Sequence, residues 1–153
     1  MDTPTDRTPE PTPPDSQTGH MLRQLQQETS FSSFVQRNHS AFFHRSVAEQ
    51  LCLMMEKYGV SKNDVVARCD IERGYGYQIL RGTREASRDK LLRLAFGIGM
   101  SVEDTQQLLT LANKGPLYPK IKRDAALLFC LGRRYTLLQA VNFLYDMELD
   151  PLD

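Results

Sequence analysis

The chain has 153 residues, of which 41% are hydrophobic and 25% charged, a composition that fits one modest globular core and excludes two large domains. Lys and Arg number 19 and so do Asp and Glu, which excludes a histone-like polycation and leaves room only for a local basic face. No apolar run approaches the roughly 18–20 residues that span a membrane, and the polar N-terminus lacks a signal-peptide core, so a cytoplasmic location without a membrane partner is expected.

Residues 1–19, MDTPTDRTPEPTPPDSQTG, hold five of the eight prolines, and Met1 is their only other apolar side chain. Such a stretch cannot bury enough surface to offset chain entropy and is expected to be a disordered tail. Its Thr-Pro steps make Thr3, Thr8 and Thr12 candidate phosphorylation sites for a Ser/Thr kinase, each phosphate adding strong negative charge. Residues 20–45 read as a helical extension: Met21, Leu22 and Leu25 share one stripe, Ser30 can cap a turn carrying Phe31, Phe34 and Val35, and Phe42-Phe43 follows as packing aromatics.

From Ser46 the helical period strengthens. Val47, Leu51, Met54, Met55 and Tyr58 form one stripe that Gly59 ends. Ser61 with Asp64 is a capping arrangement for a helix whose inward residues are Val65 and Val66, and a break follows at Asp70. A further helix is expected over 72–81, stopped by Gly82. Ser87 caps the next, with Leu91, Leu94, Ala95 and Ile98 inward and Gly99 closing it. Ser101 with Asp104 repeats the cap ahead of Val102, Thr105, Leu108, Leu109 and Ala112. Asn113-Lys114-Gly115-Pro116 is a stop. Ile121, Ala125, Leu128 and Phe129 then form a stripe ended by Gly132, and Thr136 opens a last helix with Leu137, Val141, Leu144 and Tyr145 inward. No sustained period-2 alternation occurs, so the chain reads as all-α, and no internal repeat of the solenoid kind is apparent.

The segment Gly59–Gly82, GVSKNDVVARCDIERGYGYQILRG, places two short helices about four residues apart, the spacing of a helix-turn-helix. It resembles the helix-turn-helix of lambda-repressor-like (Xre-type) regulators, without gaps over these residues and with flanking helices extending the likeness to about residues 46–113. The resemblance implies a five-helix bundle over 46–113, preceded by the helical extension and followed by a C-terminal helical hairpin over 114–153. It implies a bacterial or phage transcription regulator that binds double-stranded DNA, as a homodimer where two half-sites are read.

Carried over by position, Lys62 falls near backbone phosphate, and Arg73, Gly74 and Gln78 face base edges. Arg81, Arg84 and Arg88 fall where further phosphate contacts are expected. Arg73 suits guanine and Gln78 adenine, and amides at Ser61 and at residues 71–73 suit phosphate. The chain departs from the family pattern at five positions. Val66 stands for the usual small Ala, Asp70 for the turn Gly (though an Asp can cap the next helix), and Gly76 for a buried aliphatic. Gly74 stands for a polar residue, and Glu72 brings negative charge. Two glycines in so short a helix cost about 2 kcal/mol relative to alanine, and packing by Tyr75 and Tyr77 is one expected compensation.

Residues 70–93 hold six bases against four acids, and residues 114–134 hold Lys114, Lys120, Lys122, Arg123, Arg133 and Arg134 against Asp124 alone. The second cluster reads either as a solvated hairpin face or as an anion contact. Tyr75 and Tyr77 support an alternative in which the same fold is a protein-interaction or adaptor module, since tyrosine favours interfaces. Cys52, Cys69 and Cys130, odd in number and without a CxxC pair, read as reduced thiols packed as small apolar residues. His20, His39 and His44 have no ligand spacing, so no metal or cofactor is expected. No nucleophile–base set or phosphate-binding loop is present, and no enzyme activity is expected.

Overall fold

The computed structural model describes residues 17–43 and 45–153, and the chain divides into two compact units at the boundary between His44 and Arg45. Thr3, Thr8 and Thr12 lie outside the described residues, as do residues 1–16 of the tail expected to be disordered over 1–19; its last three residues, 17–19, are instead the first turn of α1. Among those described, all regular structure is helical: α1 (Gln17–Gln27), α2 (Phe31–Arg37), a 3-10 turn (His39–Ala41), α3 (Val47–Tyr58), α4 (Lys62–Arg68), α5 (Arg73–Arg81), α6 (Arg88–Ile98), α7 (Val102–Leu111), α8 (Lys122–Gly132) and α9 (Leu137–Asp146). None of these helices is long and apolar enough to cross a membrane.

In the first unit, the Ser30 hydroxyl caps α2 and Phe34 is buried, its ring stacked on Phe31 and edge-on to Phe42. In the second, Ser46, Ser61, Ser87, Ser101 and Thr136 each accept a hydrogen bond from the backbone amide three residues on, fixing five helix starts. The core gathers on α6, whose Leu91, Leu92, Leu94 and Ala95 are all buried. Gly97 brings α6 close to α4, because a Cβ there would lie 3.3 Å from the Cys69 Cβ and 3.4 Å from the Val65 carbonyl. Opposite, Asp104 ties α7 to α3, accepting hydrogen bonds from Lys57 at 2.7 Å and from the Tyr58 hydroxyl at 2.6 Å.

Burial departs from the sequence reading in places. Cys69 and Cys130 are buried, and burial pushes both thiols up, Cys130 to about 11, but Cys52 is exposed on α3. Tyr145, Ile121 and Phe129, expected inward, are exposed.

The structure also reveals a duplication. The hairpins α6–α7 and α8–α9 match at an offset of 35: Arg88 with Arg123, Asp89 with Asp124, Leu92 with Leu127, Gly97 with Gly132, Leu109 with Leu144, Pro116 with Pro151 and Leu117 with Leu152. Two copies do not make a solenoid, but their contacts are reciprocal. Arg88 donates to both oxygens of Asp124 at 3.0 Å, and Arg123 donates to Asp89 at 3.1 and 3.0 Å. Arg88 also reaches the carbonyls of Gly115 and Pro116, and Arg123 those of Asp150 and Pro151. The Tyr118 amide donates to Asp124 and the Asp153 amide to Asp89. Left-handed backbone recurs in register, at Gly99 and Arg134 and at Asn113 and Glu148. Contacts that exchange between copies mark a local pseudo-two-fold axis between the hairpins.

Burial alone would raise the Asp124 and Asp89 carboxyls, but the arginine and amide hydrogen bonds and the guanidinium charges together hold both below the ordinary carboxylate range. A carboxyl lowered in the folded state stabilises fully above its unfolded value, near 3.9, and the contribution is lost as pH falls further through the folded value. Stability should therefore be level from neutral pH down to about pH 5 and decline below about pH 4. Arg88→Ala leaves the Asp124 carboxylate buried without its partner, so it should cost about 3 kcal/mol at pH 7 and flatten the acid decline. Urea unfolding at pH 7 and pH 3 measures both.

Candidate nucleic-acid interface

α4 and α5 are joined by residues 69–72. Asp70, at φ +49°, adopts the left-handed backbone that a turn glycine would otherwise supply. Asp70 does not cap the next helix. Glu72 does, its two carboxylate oxygens accepting from the Gly74 amide at 3.0 Å and the Tyr75 amide at 2.8 Å. Those hydrogen bonds hold the Glu72 carboxyl below its usual range. An anion of the chain itself thus already occupies the Gly74 and Tyr75 amides at the start of α5.

The turn is also held from behind. Arg93 of α6 donates to the carbonyls of Cys69 and Asp70 at 3.4 Å, and to those of Leu152 and Asp153 at 2.7 and 3.2 Å. One guanidinium therefore joins the α4–α5 turn to the end of the second hairpin.

Val66 and Gly76 fit one another. Gly76 is buried, and a Cβ there would lie 3.4 Å from both methyls of Val66. The valine fills the space that a side chain at position 76 would take. The tyrosines do not fill it. Both are half-buried on the flanks of α5, the Tyr75 hydroxyl donating to the Glu85 carbonyl at 3.4 Å and the Tyr77 hydroxyl to the Asn63 side chain.

With Ile79 and Leu80 inward, α5 exposes Arg73, Gly74, Gln78 and Arg81. Arg73 and Arg81 lie 5.7 and 5.9 Å from the Tyr77 ring centroid, and Arg84 lies 4.5 Å from that of Tyr75. Stacking on a ring orders a guanidinium while leaving its edge N–H groups available as donors. Lys62 is exposed at the start of α4, and with Arg45 and Arg81 it lines a groove of about 530 Å³ between α3, α4 and α5 that also holds Glu49 and Glu56. Of the cations expected at the interface, Lys62, Arg73, Arg81 and Arg84 are exposed. Arg88 is not among them, because Asp124 and two carbonyls hold it.

The second basic cluster is similarly engaged. Lys114 pairs with Glu85 at 2.7 Å and holds that carboxyl below its usual range. Arg123 belongs to the Asp89 pair, Arg134 donates to the Gly99 carbonyl, and Arg133 lies over the Phe129 ring. Lys120 and Lys122 are exposed. Among the described residues, no group of three or more His, Cys, Asp or Glu is placed to hold a metal ion. No protein-family model, curated protein or solved structure matches this chain.

The Val66–Gly76 fit predicts non-additive mutants. Gly76→Val should destabilise by about 1–3 kcal/mol through overpacking against Val66. Val66→Ala should restore much of that loss, with a coupling of about 1–2 kcal/mol in a double-mutant cycle measured by urea unfolding.

Proposed function

We propose that residues 45–153 carry a lambda-repressor-like helix-turn-helix module that binds double-stranded DNA and regulates transcription, with α5 entering the major groove. The observation that carries this reading is the exposure of Lys62, Arg73, Gln78 and Arg81 on α4 and α5 and of Arg84 in the loop that follows, with Arg73, Arg81 and Arg84 at 5.7, 5.9 and 4.5 Å from tyrosine ring centroids. Arg73 and Gln78 address base edges, Gly74 allows close approach, and Lys62, Arg81 and Arg84 hold phosphates. Reading two half-sites takes two copies. The protein-interaction alternative draws less support, because the rings and hydroxyls of Tyr75 and Tyr77 already have partners within the chain.

Selection of duplex sites from a random library, repeated over a range of salt, tests the reading. Three phosphate contacts per copy predict a slope of log K on log salt near about −3 per copy. Arg84→Ala should weaken all sequences alike and reduce that slope by about 1, whereas Arg73→Ala should relax preference at one base position by about 1–3 kcal/mol. Binding that is absent, or indifferent to salt, overturns the proposal.

Glu72 opposes phosphate at the same face but also caps α5 through both oxygens, so Glu72→Gln should tighten binding to every sequence by removing the charge, while the loss of one cap hydrogen bond costs about 0.5–1 kcal/mol of stability. Titration of a selected site and of a random duplex at equal salt compares the two.

A further inference from the structure

The duplicated hairpins cover their corresponding faces unequally. Ala86, just before α6, and Leu94 and Gly97 on it are buried, and Gly97 receives α4 against it. Their counterparts, Ile121, Phe129 and Gly132, lie in the open. Ile121 is 53% and Phe129 41% exposed, and a Cβ built at Gly132 meets nothing within 4 Å. Phe129 stacks on Phe143 at 5.2 Å, with Tyr135 edge-on at 6.2 Å. The second hairpin thus keeps the glycine that admits a helix in the first, beside an apolar surface with aromatics in place of aliphatics.

We propose that this face of α8–α9 is a seat for an α-helix of a partner protein, apolar along its contact stripe and acidic along its flank. The position of α4 on the first hairpin supplies the geometry: a helix crossing at the glycine, with a small or β-branched side chain at the closest approach. Charge supplies the rest. Lys122 and Arg133 are both exposed near the two ends of α8, and Arg133 lies 4.6 Å from the Phe129 ring centroid. Covering them calls for carboxylates on the occupant. A second copy of the chain pairing α8 antiparallel on α8 would set Lys122 of each copy near Arg133 of the other, so like charges oppose that occupant. The seat is independent of the DNA-binding reading, since it uses none of Lys62, Arg73, Gln78, Arg81 or Arg84.

The test uses the full chain, isotope-labelled, and two hydrocarbon-stapled helical peptides that share an Ala/Val/Leu stripe and differ only in Glu or Lys flanks. The Glu-flanked peptide is expected to bind at least about tenfold more tightly than the Lys-flanked one and to shift the amide resonances of Ala125 and Gly132. Gly132→Leu fills the seat and should weaken the Glu-flanked peptide by at least about tenfold. Its melting temperature should hold or rise, because the new side chain points into open space. Phe129→Ser provides a second variant with the same expected loss of peptide binding. Equal affinity for the two peptides, shifts confined to other residues, or unaltered binding by both variants overturns the proposal. So does a concentration-dependent dimer, seen by sedimentation and abolished by Phe129→Ser, which would assign the face to a second copy.

Discussion

The crossed Arg–Asp pairs between α6 and α8 are the constraint on which the second unit depends. Asp124 is almost fully buried and Asp89 partly so, and each receives one guanidinium from the opposite hairpin and one backbone amide. Removing charges from water is costly, and such pairs favour folding only where geometry is good and the remaining lone pairs are filled. Here each arginine also satisfies two carbonyls of its own hairpin's exit loop, so loop, helix and opposing hairpin are set together. Each copy supplies half of the other's binding site, which gives neither hairpin the same satisfaction alone.

The consequence reaches the α4–α5 turn through α6. Along that one helix, Arg88 meets α8, Arg93 meets the turn and the segment at 152–153, and Gly97 meets α4. The exposed face of α5 is thus placed by contacts made on the far side of α4. A short helix with two glycines and an exposed arginine row has little intrinsic reason to hold its shape. It is held by a cap at its start, by Val66 filling the place of a side chain at Gly76, and by a turn tied to the hairpin pair.

Helix limits were legible because they are written locally. Serine or threonine at six helix starts and Gly59, Gly82 and Gly99 in left-handed backbone at three ends are short-range chemistry that survives without tertiary knowledge. The exposed positions of Arg73, Gln78 and Arg81 follow from helical period in the same way. What the sequence concealed depends on partners distant along the chain. Arg88 resembles any surface arginine until Asp124 is brought beside it. Tyr145 and Ile121 continue apolar stripes, yet period alone does not say whether a stripe has anything to pack against. Cys52 has a buried residue's character on an exposed flank. Glu72 was legible as a charge, but its role as a cap emerges only once the chain turns at Asp70.

The duplication was hard to read for a different reason. Apolar stripes vary between the copies, Leu94 against Phe129 and Leu108 against Phe143, because packing asks for hydrophobicity more than identity and Phe129 is not confined by a covering helix. The residues kept are those with directional or conformational duties: Arg and Asp in the crossed pairs, Pro and Leu at each exit loop, and the glycine on the helix face. Directional contacts tolerate no substitution that changes donor geometry, so they persist where packing drifts. The glycine differs from the other kept residues. At Gly97 it is required by the approach of α4; at Gly132, the same residue stands before empty space, and no contact within the described chain accounts for it. The proposed helix seat would give Gly132 the reason that α4 gives Gly97, since a side chain there would stand where the occupant's backbone approaches.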